Sequence, residues 1–140
     1  MDMRILVTGD RFWFDPKLAA EIIRRLVDRY GSDIVIVHGG ASGGDESFAM
    51  AAKGLGIAAE AHPVTDEELL RFGKRAGPIR NREMVRAGAG LCLAVHRFIF
   101  NSKGTKDCAR QAIEAGIPTY LIDSEKAVPK RLRADDPRLE

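Results

Sequence analysis

The sequence predicts a Rossmann-like α/β fold, three layers deep, around a mainly parallel sheet of five strands. Three observations predict it: short apolar runs with little polar alternation, helical patterns between those runs, and glycine-rich or hydroxyl-rich turns where a run gives way to a helix. The strand-like runs are Arg4–Thr8, Ile34–His38, Ile57–His62, Leu91–His96 and Thr119–Ile122. Continuous apolar character suits strands covered on both faces, whereas a half-exposed strand alternates.

The helices follow from spacing and punctuation. Asp15-Pro16 supplies an N-cap and a first-turn proline, after which Ala19, Ile22, Ile23, Leu26, Val27 and Tyr30 recur at helical intervals up to Gly31. A second helix opens after Gly43-Gly44, buries Phe48, Ala51, Ala52 and Leu55, and closes at Gly56. A short helix falls within residues 66–74. A third long helix starts at Pro78 and ends near Gly88, and a fourth runs from about Thr105 to Ala115 before Gly116 and Pro118. Strand and helix in alternation imply right-handed βαβ crossovers.

A chain of 140 residues fits one domain. We assign residues 1–123 to it and residues 124–140, with mixed charges and two prolines, to a solvated, partly disordered charged tail. Twenty-two basic and twenty acidic side chains leave a formal charge of +2, too weak a field to argue for nucleic acid. No window approaches the roughly 20 apolar residues of a membrane span, and the opening residues lack the apolar stretch of a signal peptide. Cys92, in an apolar strand, and Cys108, in a helix, lack metal-ligand spacing and read as small buried thiols. A cytoplasmic location is therefore expected.

Four stretches carry chemistry. Gly39-Gly40-Ala41-Ser42-Gly43-Gly44-Asp45 follows the second strand and opens the second helix. Its glycines allow a sharp turn and close ligand approach, and free amides at a helix start favour phosphate, although a purely structural turn uses the same residues. Asp45 is either a helix-start carboxylate or an acceptor for a ribose hydroxyl. Thr8-Gly9-Asp10-Arg11 follows the first strand, where Arg11 can clamp a phosphate or simply belong to a polar loop. Ser102-Lys103-Gly104-Thr105 precedes the fourth helix, as a cap or as an anion-binding end. Arg80 and Asn81 sit in the first turn of the helix begun at Pro78. The stretch around them (Arg71, Lys74, Arg75, Arg80, Arg82, Arg86) is either a solvated face or a nucleic-acid contact. His38, His62 and His96 end three strands and are expected to be hydrogen-bonded or solvent-facing.

Taken in order and at their spacing, Gly39-Gly40-Ala41-x-Gly43-x-Asp45, Ala76-Gly77-Pro78-x-Arg80-Asn81-x-x-Met84 and Ser102-x-Gly104-Thr105 resemble the YspA-type branch of the SLOG superfamily, over about residues 4–122. The resemblance implies the strand order 3-2-1-4-5, a pocket beside strands one and four, and recognition of nucleotides or nucleotide-derived signals. It leaves a homodimer open. Phosphoribohydrolases of the superfamily carry Pro-Gly-Gly-x-Gly-Thr-x-x-Glu, whereas here Cys108 stands at the glutamate position, with Asp107 one residue early. That departure favours binding over N-glycosidic hydrolysis, which needs a placed carboxylate.

The expected function is thus binding or sensing of a phosphorylated nucleotide-like small molecule. The alternative is a nucleotide-processing hydrolase with Asp10 or Asp45 as its catalytic carboxylate. Single-stranded DNA ranks third, because Phe72 alone offers a stacking ring near the basic stretch. No metal or further cofactor is indicated.

Overall fold

A computed structural model describes residues 3–140. Strand β1 (Arg4–Gly9) lies inside the sheet, between β2 (Val35–His38) and β4 (Leu91–Val95), and it divides its side chains by parity. Ile5 and Val7 point to one core and Leu6 to the other, as the two-residue period of a strand dictates. The first core is covered by α1 (Pro16–Tyr30) and α2 (Gly44–Gly54), which contribute Leu18, Ile22, Ile23, Leu26 and Phe48. The second is covered by α4 (Ala76–Ala87) and α5 (Gly104–Glu114), which contribute Met84, Val85, Cys108 and Ala112.

The strand order is β3-β2-β1-β4-β5-β6, with β3 at Ala58–Ala61, β5 at Thr119–Ile122 and β6 at Lys130–Leu132. The first five strands are parallel, as the βαβ pattern predicts. The short helix α3 (Asp66–Phe72) is closed at its start by a capping box of Thr65 and Glu68. At α1, Asp15 accepts the Leu18 amide at 3.0 Å and Gly31 ends the helix at φ 92°. Helix α4 begins at Ala76, two residues before the proline that marked its expected start.

The expectation for residues 124–140 is corrected. They are not a solvated extension: β6 pairs antiparallel with β5, in the register Thr119↔Leu132 and Leu121↔Lys130, and makes a sixth strand. Leu132 and Leu139 then pack on Ala94, Ile99, Ala109 and Leu121, and Ala127 joins the first core. Three apolar residues spread through a charged stretch show no period. What orders them is the unpaired edge of β5, which supplies backbone partners no local pattern reveals. Lys130 and Arg131 on the new edge guard it against further pairing. Leu132→Ala should therefore lower unfolding free energy by about 2 kcal/mol, measured by urea titration, where a dangling tail would give no change.

Among the described residues, no helix is long and apolar enough to cross a membrane.

Candidate functional site

The order of strands turns at β1 and β4, since the chain runs outward from β1 through β2 to β3 and then returns to place β4 on the other side of β1. Open α/β sheets bind ligands at the carboxyl ends of strands beside such a reversal. The loops carrying the predicted residues all leave from that edge.

The loop after β2 is folded around a carboxylate. Asp45 is 4 % exposed, and its Oδ2 accepts the amides of Gly39 at 3.0 Å and Ala41 at 3.3 Å. Its Oδ1 is buried with no hydrogen-bond partner. Burial raises the Asp45 pKa to about 6, against the pull of those amides and of Arg80. The Gly40 amide is taken by His38 Nδ1 at 3.0 Å, and the Gly44 amide by the Asp10 carbonyl at 2.9 Å. Four loop amides are thus engaged internally. At the start of α2, Gly43 offers no side-chain cap, which leaves the Asp45 and Glu46 amides as the positive end of that helix.

Three glycines serve packing more directly than ligand approach. Gly43 has φ +82°, and a Cβ there would overlap the carbonyl of Arg11 and the carbonyl oxygen of Asp10. Gly9 and Gly44 let β1 and α2 meet: a Cβ on Gly9 would sit 3.0 Å from the Gly44 Cα. The loops after β1 and β2 are thereby locked together.

Arg80 lies half-buried over Gly39, donating to the Gly39 carbonyl at 2.7 Å and the His62 carbonyl at 3.3 Å. Its Nε donates to Asn81 Oδ1 at 3.0 Å, and Asn81 Nδ2 donates to Asp107 Oδ2 at 3.0 Å and the Gly104 carbonyl at 3.4 Å. This chain of bonds ties the loop after β2 to the start of α5. There, Ser102 Oγ accepts the Thr105 amide at 3.0 Å, and Lys103, at the N-cap, makes no side-chain cap. Gly104 faces open space. Beneath the rim, burial pushes the Cys108 thiol up to about 12.

The structure therefore brings together Thr8, Gly9, Asp10, Gly39, Gly43, Gly44, Asp45, Arg80, Asn81, Gly104 and Thr105. Arg11, Gly40, Ala41, Ser42 and Lys103 are exposed above them. Asp45, Asn81 and Thr105 lie under the surface.

Sequence reasoning missed the pairing of Asp10 with His96. His96 Nε2 stands 3.9 Å from Asp10 Oδ2, while its Nδ1 accepts the Phe98 amide at 2.9 Å. His38 holds its Nδ1 in the same way, so in the neutral form both rings carry their proton on Nε2. Burial lowers both pKa values and favours that neutral form. The available signal was a histidine closing β4 beside an aspartate closing β1, but adjacency of the two strands is a property of the topology.

A family model described as "YspA, cpYpsA-related SLOG family" matches residues 3–65. Gene 61 protein of Mycobacterium phage D29 is 39% identical over 120 residues, covering 82% of this chain and 92% of that protein. The chain belongs to the SLOG family. Among solved structures, DNA processing protein A (DprA) from Streptococcus pneumoniae superposes with a TM-score of 0.64 at 20% identity. The match covers 86% of this chain and 50% of that one, so the SLOG domain described here spans half of it. At that identity the likeness establishes the shared fold.

Proposed function

We propose that this SLOG domain binds a phosphorylated, nucleotide-type ligand at the carboxyl edge of its sheet. The observation that carries the reading is the convergence of two helix starts, that of α2 without a side-chain cap and that of α5 capped by Ser102 at the Thr105 amide alone, tied by Arg80 and Asn81 beside the topological reversal. The phosphate would meet the start of α2 at the Asp45 and Glu46 amides and the open face at Gly104, with Arg11 and Lys103 as exposed cations above. Arg80 acts by holding the Gly39 carbonyl, and Asp45 by shaping the loop from within. The sugar and base would lie toward Asp10 and His96, whose Nε2–H is a donor.

The test is a thermal-shift series with nucleoside mono-, di- and triphosphates, NAD, ADP-ribose and cyclic nucleotides. A ligand at one hundred times its dissociation constant adds about 2.7 kcal/mol. Gly104→Asp is the discriminating variant, because the position is open and a first-turn carboxylate suits a helix start while repelling phosphate. We expect ligand-free stability within about 0.5 kcal/mol of wild type and at least a tenfold loss of affinity, on the order of 1.4 kcal/mol. Full affinity in Gly104→Asp would remove α5 from the site.

A second reading, hydrolysis of a nucleotide N-glycosidic bond, is supported by Asp10, whose partly exposed carboxylate faces His96. Free base released from a nucleoside monophosphate, and lost in Asp10→Asn, would establish it. Asp45 does not suit the catalytic part, being buried with one oxygen bound to two loop amides.

A further inference from the structure

The two strands at the reversal are followed by the same four-residue pattern. Arg11-Phe12-Trp13-Phe14 leaves β1 and Arg97-Phe98-Ile99-Phe100 leaves β4. In each, the third residue is an anchor: Trp13 is buried against Phe48, with ring centroids 6.3 Å apart, and Ile99 is buried among Ala94, Leu121 and Leu132. In each, the two phenylalanines are turned outward. Phe12 is 86%, Phe14 57%, Phe98 69% and Phe100 56% exposed. The loops are also built alike. Asp10 Oδ1 accepts the Phe12 amide at 3.0 Å, as His96 Nδ1 accepts that of Phe98. The Asp10 amide donates to the Val95 carbonyl at 2.9 Å, so the loops start side by side.

Four of the six phenylalanines of the chain therefore stand in solvent on one edge. Leaving them there forgoes burial that a core position would reward, so the arrangement is not explained by stability. Charge narrows what they meet. Arg11 and Arg97 head the loops, Lys103 is exposed at the start of α5, and Lys106 Nζ lies 5.2 Å from the Phe100 ring centre. The carboxylates of this rim are already engaged: Asp10 with the Phe12 amide, Glu125 with Arg97 at 2.7 Å and Asp123 with Lys130 at 2.9 Å. A shallow depression of about 520 Å³ opens between Arg97, Phe98 and Lys126, with Asp123, Ser124 and Glu125 completing its lining.

We propose that the paired Arg-Phe-x-Phe loops are a base-stacking platform for single-stranded nucleic acid, with Arg11 and Lys103 on its phosphates. Alternation of exposed ring and cation matches a strand that alternates base and phosphate. Four rings on two loops exceed what one mononucleotide base can cover, and a duplex keeps its bases stacked inside. The expected preference is therefore for an unpaired strand. This surface replaces the Arg71–Arg86 stretch as the nucleic-acid candidate, because that stretch offers Phe72 half-buried beneath Arg71. The inference does not depend on a nucleotide at the glycine-lined edge.

The test is fluorescence anisotropy of a labelled oligothymidylate of about twelve nucleotides with the full chain, against a duplex of the same length. Binding should favour the single strand, with a log–log salt slope between about −1.5 and −3 for two to four neutralised phosphates. Phe12→Ala/Phe98→Ala should weaken it at least tenfold, and Phe12→Tyr/Phe98→Tyr should retain it within about threefold. Circular dichroism and the thermal shift with the mononucleotide series, unchanged in the alanine pair, would separate this platform from the phosphate site. Equal affinity in the alanine pair overturns the proposal. So does absence of oligothymidylate binding, or a phenylalanine-dependent dimer seen by sedimentation without strand binding, which would make the rings a contact between copies.

Discussion

Gly43→Val should cost the protein at least about 3 kcal/mol of folding stability. Two effects add. The residue has φ +82°, a conformation a β-branched side chain adopts only under strain, and its new Cβ would overlap the backbone carbonyls of Asp10 and Arg11. Backbone cannot swing aside as the tip of a flexible side chain can, and here the obstructing carbonyl is bonded to the Gly44 amide. Relief would require the loops after β1 and β2 to separate, exposing the join where Gly9 meets Gly44. Urea denaturation measures the loss. Gly104→Ala is the control, since that glycine has open space around it and no left-handed backbone, and we expect a change within about 1 kcal/mol. Equal stability of Gly43→Val and wild type would show that the two loops are not locked.

The second large effect is on pH dependence. Burial raises the Asp45 pKa from its ordinary 3.8 to about 6, so the folded protein prefers this carboxyl protonated and the unfolded chain does not. Its contribution is fully present below about pH 4 and is lost as pH rises through 6. A shift of this size corresponds to about 3 kcal/mol between the two limits. His38 and His96 act in the opposite sense, because burial lowers their pKa values and their neutral forms lose stability as pH falls below 6.5. The readout is therefore the difference between wild type and Asp45→Asn, measured by denaturant unfolding from pH 4 to pH 8. Asparagine can still offer one oxygen to the Gly39 and Ala41 amides but does not ionise. Wild type should lose about 2.4 kcal/mol relative to the variant across that range, the rest having been lost by pH 4. Parallel curves would mean that water reaches the orphaned Oδ1 and that the carboxylate is solvated.

Much of the site was legible as positions and little of it as roles. The glycine run after β2, the first-turn pair Arg80-Asn81 and the hydroxyl-rich start of α5 are local signals, and they occupy one edge as their spacing required. Their partners are not all local, and even a local one can reverse the role. Asp45 read as a possible sugar acceptor, yet it faces inward and holds the amides of Gly39 and Ala41. Arg80 read as a phosphate partner, yet its guanidinium spans the carbonyls of Gly39 and His62. Gly43 looked like room for a ligand and is room for the chain itself. For Asp45 the competitor was the backbone of its own loop; for Arg80 and Gly43 it was another loop's, which becomes a neighbour only in the folded sheet.

The exposed phenylalanines show the same limit from the other side. Sequence alone cannot tell which residue of Arg-Phe-x-Phe turns inward, because Trp13 and Ile99 are no more apolar than the rings beside them. The anchoring amide bonds to Asp10 and His96 decide it.

By itself the chain determined its alternation of strand and helix, the ends of most elements, and the edge on which its polar loops emerge. These rest on contacts within a few residues: caps, turns and the periods of strand and helix. Tertiary structure alone decided the sixth strand, the Asp10–His96 pair and the outward rings. Each depends on hydrogen-bond partners or packing surfaces supplied from distant parts of the chain, and chain-local patterns carry no record of what will be waiting there.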